Sequence, residues 1–167
     1  MTTVLETTRF RLRTMTLDDL DFMAEMLGDE AVMRFYPAPV TRDEARLSIE
    51  KNQARYATFG FGLWIVESKE TGKALGRVGL IRQHIDGQDE DEIGYMIHRP
   101  YWRQGIAHEA ACGVRDYAFS NLGMQRVISL VRPVNIPSQR TALSLGMRPE
   151  KLTQHWNLDH IVFALAR

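Results

Sequence analysis

The chain has 167 residues, of which 44% are hydrophobic and 25% are charged, as in a soluble globular protein. Its 21 basic and 21 acidic side chains give a formal net charge of zero, so bulk charge favours neither a nucleic acid nor an anionic membrane as a partner. A single cysteine, Cys112, excludes an intramolecular disulfide, and the composition suggests no bound metal.

The organisation of the chain indicates one domain. No repeat, low-complexity segment or linker divides residues 1–167. The first residues are polar and basic, and no membrane-length apolar run follows them. We therefore expect a single cytoplasmic domain with no membrane partner.

The N-terminal third is predicted to contain one strand and two helices. Alternating apolar and basic residues in RFRLRTM, residues 9–15, indicate a half-exposed strand. The first helix begins after Thr16 and ends at Gly28, because apolar residues recur at helical spacing between them. The second helix begins after Thr41, and Glu44 stands at the capping-box position three residues later.

Three strands are predicted next. FGLWIVES and ALGRVGLIRQH, residues 61–68 and 74–84, form a hairpin around the turn ETGK. The acidic stretch DGQDEDE, residues 86–92, is expected to be a turn. EIGYMIH, residues 92–98, is the fourth strand of the chain.

The C-terminal part alternates helices and strands. A helix beginning after Gln104 leads to a β-branched strand at residues 125–132, a short helix at 135–146 and a last strand at 160–166, with a weaker strand possible before it. The order predicts a mixed α/β fold, with a mostly antiparallel central sheet of six to seven strands and about four helices. The fourth and fifth strands are expected to run parallel, because a helix connects them as a right-handed crossover.

The stretch YWRQGIAHEA, residues 101–110, is a candidate anion site. The first turn of a helix offers free backbone N–H groups and partial positive charge, which suit a phosphate. Gly105 lets the backbone approach a ligand, and Arg99 and Arg103 add charge beside it. These residues alone are equally consistent with a small-residue helix that packs tightly on the sheet.

A family resemblance extends over nearly the whole chain. EIGYMIHRPYWRQGIAHEA and the later RVISLVRPVNIPSQRTALSLGM resemble the central acetyl-CoA-binding segment of the GNAT superfamily of N-acetyltransferases. RLRTMTLDDLDFMAEMLGDEAVMRFYP is similar to the branch that acetylates the N-termini of ribosomal proteins, and to its small-molecule-modifying relatives. The resemblance implies a sheet that is splayed between the fourth and fifth strands, and acetyl-CoA as the acyl donor.

The same resemblance implies which residues contact coenzyme A. Backbone amides after Trp102 hold the pyrophosphate, the fourth strand pairs with the pantetheine arm, and Asn135 contacts the donor after the fifth strand. The implied contacts are Tyr95, Met96, Ile97, Arg103, Gln104, Gly105, Ile106, Ala107, His108, Asn135, Ser138 and Arg140. Trp102 stands at the first landmark of the family pattern, as is familiar in this branch. One position departs: Ala142 stands where many members carry a tyrosine that protonates the leaving thiolate. Either Ser138 or a water is the proton donor in its place, or the thiolate leaves unassisted.

Glu92 is the candidate base and also a candidate substrate contact. It lies where the fourth strand begins, and Gly94 follows it on the same strand face, which predicts open space beside the carboxylate. The competing interpretation is that Glu92 only ends a solvated acidic cluster formed with Asp86, Asp89, Glu90 and Asp91. A further interpretation is that this cluster attracts a cationic amine. Tyr36, in the loop FYP, is a second candidate for the acceptor pocket.

The acceptor is expected to be an amine of low pKa. Deprotonating a lysine-type amine at neutral pH costs roughly 4–5 kcal/mol, whereas an α-amino group costs about 1 kcal/mol. A protein or peptide N-terminus is therefore the acceptor that a site with one base can deprotonate at the lowest cost in free energy. A small-molecule amine, a non-catalytic acyl-CoA sensor and a plain nucleotide binder stay open as alternatives, and we expect a monomer or a homodimer.

Overall fold

A computed structural model describes all 167 residues as one eight-stranded sheet with helices on both faces. The spatial order of the strands is β1-β2-β3-β4-β5-β6-β8-β7. The strands are β1 (Thr3–Glu6), β2 (Phe10–Arg13), β3 (Leu63–Ser68), β4 (Ala74–Ile85), β5 (Gln88–Ile97), β6 (Arg126–Val131), β7 (Arg148–His155) and β8 (Leu158–Ala166). The helices are α1 (Leu20–Gly28), α2 (Glu30–Met33), α3 (Arg42–Phe59), α4 (Ile106–Ser120) and α5 (Ile136–Ser144), with 3₁₀ turns at Leu17–Asp19 and Arg99–Tyr101.

The sheet divides the interior into two apolar cores. On one face, α4 packs its small side chains against alternate residues of β4 and β5, including Val78, Leu80 and Ile93. The other face of the same strands packs against α1 and α3 through a separate cluster, in which Met96 contacts residues such as Ile49. Because side chains alternate along a strand, consecutive residues of β5 belong to different cores.

The middle of the sheet splits between β5 and β6. β5 pairs with β4 along its whole length, but it meets β6 at a single parallel pair, Glu92 with Ile128. Beyond that pair the two strands diverge. All other neighbouring strands are antiparallel. The predicted fold class and the parallel crossover are therefore confirmed, and the split has a defined starting point.

The predicted start of α3 is confirmed, whereas Thr16 precedes the 3₁₀ turn Leu17–Asp19, which leads into α1 at Leu20. The Asp19 side chain accepts a hydrogen bond from the Thr16 amide at 2.9 Å, and Glu44 accepts one from the Thr41 amide at 2.7 Å. The structure adds two elements that the pattern did not predict: β1 is four residues long, and α2 is a single turn. Neither is long enough to show a periodicity. No helix in the structure has the length and apolar character needed to cross a bilayer.

The acidic stretch is a strand instead of the predicted turn. Only Asp86 and Gly87 form the connection, both with positive φ, as the Asp-Gly turn of a two-residue hairpin requires. β5 begins at Gln88, and cross-strand partners neutralise its acidic side chains. Asp91, for example, lies opposite Arg82 and pairs with it at 2.6 Å.

Candidate active site

A cleft of about 1130 Å³ follows the open side of β5. Its walls are the exposed sheet face of β4 and β5, one face of α3, the start of α4, and α5. The tip of the β7–β8 hairpin and the segment after α2 close one end. The cleft thus lies where the sheet splits.

The start of α4 offers a continuous series of free backbone donors. None of the six backbone N–H groups from Arg103 to His108 donates to an acceptor within the chain. Gly105, the N-cap, has φ of 73°, and Arg103 has φ of 62°, so the loop turns through left-handed conformations that aim its amides outward. This arrangement, with the partial charge of the helix terminus, fits a pyrophosphate.

A brace that the sequence analysis missed holds this loop in place. Glu109, in the first turn of α4, accepts hydrogen bonds from Thr7 Oγ1 at 2.7 Å, from the Arg9 amide at 2.8 Å and from Arg9 Nε at 2.6 Å. Arg9 also donates through Nη1 to the Gln104 carbonyl at 3.0 Å. Burial raises the pKa of Glu109, but these hydrogen bonds outweigh it and hold the pKa below its ordinary value. The partners lie about a hundred residues apart, and no local motif links them.

The free edge of β5 presents the backbone of Tyr95 to the cleft. The Ile93 carbonyl accepts a hydrogen bond from Ser129 Oγ at 2.8 Å, and the Ile97 carbonyl accepts one from Trp102 Nε1 at 2.7 Å. Both carbonyls therefore point away from β4. By the alternation of an antiparallel ladder, the N–H and C=O of Tyr95 between them point the same way. An extended pantetheine arm fits this position.

Met96 and Gln104, two of the predicted coenzyme A contacts, differ from the others in how they face the cleft. Met96 turns its backbone toward β4, and its buried side chain lines the cleft from the α3 side of the sheet. Trp102, at the first landmark of the family pattern, closes the end of the free edge through its indole N–H. The other predicted residues that line the cleft are Tyr95, Ile97, Arg103, Gly105, Ile106, Ala107, His108, Asn135, Ser138 and Arg140. Gln104 does not line it; its carbonyl is held by Arg9.

A pair of hydroxyl groups crosses the split. Tyr95 Oη donates to the Ser138 carbonyl at 2.8 Å, and Ser138 Oγ donates to Tyr95 Oη at 3.1 Å. Burial raises the pKa of the Tyr95 hydroxyl, which therefore stays protonated. Asn135 caps α5, where its Oδ1 accepts from the Ser138 amide at 3.2 Å. Ala142 is fully buried in the core below. Ser138 and Tyr95 thus place a linked pair of hydroxyl groups at this wall, which Thr141 of α5 also lines.

Glu92 lies half-buried at the point where the sheet splits. Gln83 Nε2 donates to its Oε2 at 2.7 Å. Burial raises the pKa of the carboxyl above its ordinary value of 4.5, and hydrogen bonds from Gln83 and the Leu130 backbone and the charge of Arg55 oppose that rise. The open space expected at Gly94 stays a prediction: Gly94 and Glu92 both line the cleft, and a Cβ at Gly94 would lie 3.3 Å from Ile81 Cδ1.

The other acidic residues of the β4–β5 hairpin do not line the cleft. Each has a basic side chain as its partner outside the cleft, so the expected attraction of an amine by this cluster has no support at the cleft itself. The pairs are Asp86 with Lys151, Asp89 with His84, Glu90 with Arg126 and Asp91 with Arg82. No group of three or more His, Cys, Asp or Glu side chains is arranged to hold a metal ion.

Aromatic side chains close the end of the cleft beside Glu92. The ring of Tyr36 lies 5.7 Å from that of Trp156, between centroids, and Trp156 is at the tip of the β7–β8 hairpin. Burial raises the pKa of Tyr36, as expected for a phenol that lines a largely enclosed wall. Tyr36 was predicted at this wall. Trp156 was missed, because a hairpin tip carries no signal of what it covers.

The split sheet and the series of free amides at the start of α4 are the features expected of an N-acetyltransferase. The chain belongs to the GNAT acetyltransferases: the family model described as Acetyltransferase (GNAT) domain matches residues 9–148.

Relatives in sequence and in structure agree with this assignment. The uncharacterized protein YkkB of Bacillus subtilis is 36% identical over 162 residues, which cover 96% of this chain and 94% of YkkB. The uncharacterized N-acetyltransferase p20 of Bacillus licheniformis is 30% identical, with 98% and 96% of the two chains covered. The structure of RimL, a ribosomal L7/L12 alpha-N-protein acetyltransferase in complex with coenzyme A, superposes with a TM-score of 0.79 over 98% of this chain and 97% of its own. At 13% identity that likeness concerns the fold alone.

Proposed function

We propose that this N-acetyltransferase acetylates the α-amino group of a protein or peptide N-terminus. The observation that carries the proposal is the single carboxylate, Glu92, beside the split of the sheet, with a pKa that burial raises. One base of modest strength is sufficient for an amine with a pKa near 7.8, whose deprotonation at neutral pH costs about 1 kcal/mol. The fold likeness to RimL, whose name describes an alpha-N-protein acetyltransferase, supports the same acceptor.

Different residues of the cleft bind different parts of the donor. The amides from Arg103 to His108 hold the pyrophosphate of the donor, and the Tyr95 backbone at the free edge of β5 holds its pantetheine arm. Acetyl-CoA supplies the thioester carbonyl that the amine attacks. Bound in this way, the donor extends from the start of α4 toward Glu92.

Glu92 then removes a proton from the incoming ammonium, directly or through one water. Because the carboxylate is half-buried and held by Gln83, its orientation is fixed before the amine arrives. The raised pKa brings the carboxylate closer to the pKa of the amine, so the proton transfer is less uphill than for an exposed glutamate.

The hydroxyl pair of Ser138 and Tyr95 is the proton source for the departing sulfur. Ser138 Oγ lies at the cleft wall and is itself linked to Tyr95 Oη at 3.1 Å. A thiol has a pKa near 8.5, so its anion leaves readily and this assistance is worth less than the base. We therefore expect Ser138→Ala to lower kcat by less than roughly tenfold, which is below the range of roughly 10²–10⁴-fold that is usual for general acid–base catalysis.

The experiment is a thiol-release assay with the Glu92→Gln variant. Acetyl-CoA is incubated with peptides of varied first residue, free amino acids, polyamines and aminoglycosides. With a peptide acceptor we expect Glu92→Gln to lower kcat by roughly 100-fold or more, as loss of a general base does. Calorimetry should give an unchanged Kd for acetyl-CoA, since Glu92 is not a donor contact. Release only with small amines would contradict the proposed acceptor, and an unchanged kcat would contradict the role of Glu92.

A further inference from the structure

Every cationic side chain that lines the cleft lacks an ion-pair partner, although the chain as a whole is neutral. Eleven of the other arginine and lysine residues form salt bridges with carboxylates. The unpaired cations of the cleft are Arg34, Lys51, Arg55, Arg77, Arg103, Arg132 and Arg140. The acidic residues among its walls are Glu44, which caps α3, and Glu92. The cleft therefore concentrates the positive charge that the rest of the surface neutralises.

Two of these cations lie on the acceptor side of the sheet. Arg77 of β4 lies opposite Met96, and Ile81 lies opposite Glu92, so Arg77 and Glu92 share the face that packs against α3. Arg55 lies on the face of α3 that lines the cleft, one turn after Lys51. The start of α4, where the phosphates of the donor bind, packs against the other face of the sheet. Arg103 and Arg140 are at that side and are available for those phosphates.

The environment of Arg77 and Arg55 is that of an anion site. Arg77 Nη1 donates to Ser48 Oγ at 3.2 Å and has no carboxylate partner. Burial lowers the pKa of both arginines, and the charge of Arg55 lowers the pKa of Arg77 further. The charge of Glu92 opposes the lowering at Arg55 and so offsets part of its charge, but the two half-buried guanidinium groups still repel each other, and an anion that joins them relieves this cost in free energy. Planar guanidinium groups match a carboxylate with paired hydrogen bonds.

We propose that Arg55 and Arg77 bind a carboxylate of the acceptor. The inference rests on the proposed function, because it places the reacting amine at Glu92. Met96, the position opposite Arg77, is four residues after Glu92 on β5, which is about 13 Å along a strand. Because the side chains of Arg77 and Glu92 are long, the gap between their charged ends is shorter and matches an acceptor segment of one or two residues. The carboxylate is therefore either the α-carboxylate of a free amino acid or the side chain of Asp or Glu within the first two residues of a peptide.

The test compares acceptors that differ only in the carboxylate. One arm pairs peptides with Glu or Gln at the second residue, and with Asp or Asn at the first. The other arm pairs free amino acids with their amides. We expect the carboxylate member of at least one arm to have a kcat/KM at least tenfold higher, through a lower KM, and the arm that responds identifies the source. Equal values in both arms would overturn the inference while leaving the N-acetyltransferase proposal standing.

Variants assign the preference to the two arginines. In Arg77→Gln and in Arg55→Gln we expect the carboxylate-to-amide ratio to fall below threefold, with an unchanged KM for acetyl-CoA. Arg148→Gln, an unpaired arginine outside the cleft, should keep the wild-type ratio. Arg55→Gln has no hydrogen bond to lose, so it tests the site even where Arg77→Gln folds poorly. The inference is overturned if Arg55→Gln keeps the wild-type carboxylate-to-amide ratio. It is also overturned if this variant loses affinity for acetyl-CoA and not the carboxylate preference.

A binding measurement separates this inference from the proposed function. If no acceptor releases thiol, the proposed function fails, and the same paired acceptors are then titrated calorimetrically into the protein with coenzyme A present. Tenfold tighter binding of the carboxylate member supports the arginine site, and equal binding overturns it.

Discussion

Single residues set the chemistry of the cleft through their surroundings. Glu92 has neighbours that act on it in opposite directions: burial raises its pKa, whereas Gln83, the Leu130 backbone and Arg55 lower it. A general base works best with a pKa near the pH at which it acts. In the proposed mechanism, the neighbours of Glu92 therefore set the pH range of the reaction as well as the position of the carboxylate.

Replacing Gln83 with leucine should move the acidic limb of the pH profile of kcat to higher pH. Gln83 donates to the ionised carboxylate and so lowers the pKa of Glu92; without it the pKa rises, and a larger fraction of the base is protonated at any given pH. The measurement is kcat against pH at saturating substrates. Arg82→Gln, which alters a neighbouring cation that pairs with Asp91 outside the cleft, is the control. A limb that stays in place or moves to lower pH in Gln83→Leu would rule out Glu92 as the titrating group.

Residues that act alone were easier to predict than residues that act through distant partners. Glu92, Gly105 and Tyr36 stand next to local signals, such as a strand start, a helix start and a proline loop, and each of them lines the cleft. The hydroxyl of Tyr95 was not anticipated, because its partner Ser138 is 43 residues away. Arg77 was not predicted for the same reason, because its partners are distant in sequence and the strand pattern shows only a polar residue among apolar ones.

At the scale of elements, the β1–β2 connection positions the start of α4. Thr7 and Arg9 donate to Glu109, and Arg9 also holds the Gln104 carbonyl just before the helix. The loop with the free amides is thereby fixed from outside the cleft. An N-terminal strand pair thus acts on the donor site without contacting the donor.

Removing this brace should weaken donor binding and leave the chemical step intact. In Glu109→Ala we expect the KM for acetyl-CoA to rise roughly five- to tenfold, equivalent to about 1 kcal/mol for partly exposed charge-assisted hydrogen bonds. We expect kcat to change by less than about twofold, because Glu92 is untouched. Steady-state kinetics with varied acetyl-CoA provide the measurement, and Glu70→Ala, at an exposed turn, is the matched control. A fall in kcat at constant KM would show that the brace acts elsewhere.

The elements themselves were largely predictable, and the exceptions have physical causes. Capping signals located the start of α3 and of the 3₁₀ turn that leads into α1, and Gly60, with φ of 75°, ends α3. The charges of the acidic run suggest solvent exposure and predict a turn. The chain instead forms β5 from Gln88, since the two-residue Asp86-Gly87 turn sets the register and basic neighbours offset the charges. The sequence alone does not show this compensation of charge, because the pairing of the strands must be known first.

At the scale of the whole molecule, the split sheet joins two binding surfaces. The α4 side carries the free amides, and the α3 side carries Glu92 and the two arginines, with the gap beyond the Glu92–Ile128 pair between them. The crossover from β5 through α4 to β6 was predictable from the order of elements. The width of the split was known only from the family resemblance, because no residue pattern encodes where two parallel strands part.

Donor binding should stabilise the entire fold, since it fills the split from α4 to β5. Coenzyme A at about 100 times its Kd adds roughly 2.7 kcal/mol, which corresponds to a rise in Tm of roughly 5–11 °C for a chain of this size. ATP has phosphates but no pantetheine arm to pair with the free edge of β5, so at the same concentration we expect less than half of that rise. Differential scanning calorimetry distinguishes the two ligands. Equal shifts would favour a general nucleotide site.

The most direct test of the account is the position of the acetyl group on one peptide that contains both an α-amine and a lysine side chain. The peptide is incubated with acetyl-CoA and with either the wild-type protein or Glu92→Gln, and the product is fragmented by mass spectrometry. The account predicts one acetyl group at the N-terminus, formed by the wild type and nearly absent with Glu92→Gln. Acetylation of the lysine, or equal N-terminal acetylation by both proteins, would contradict it.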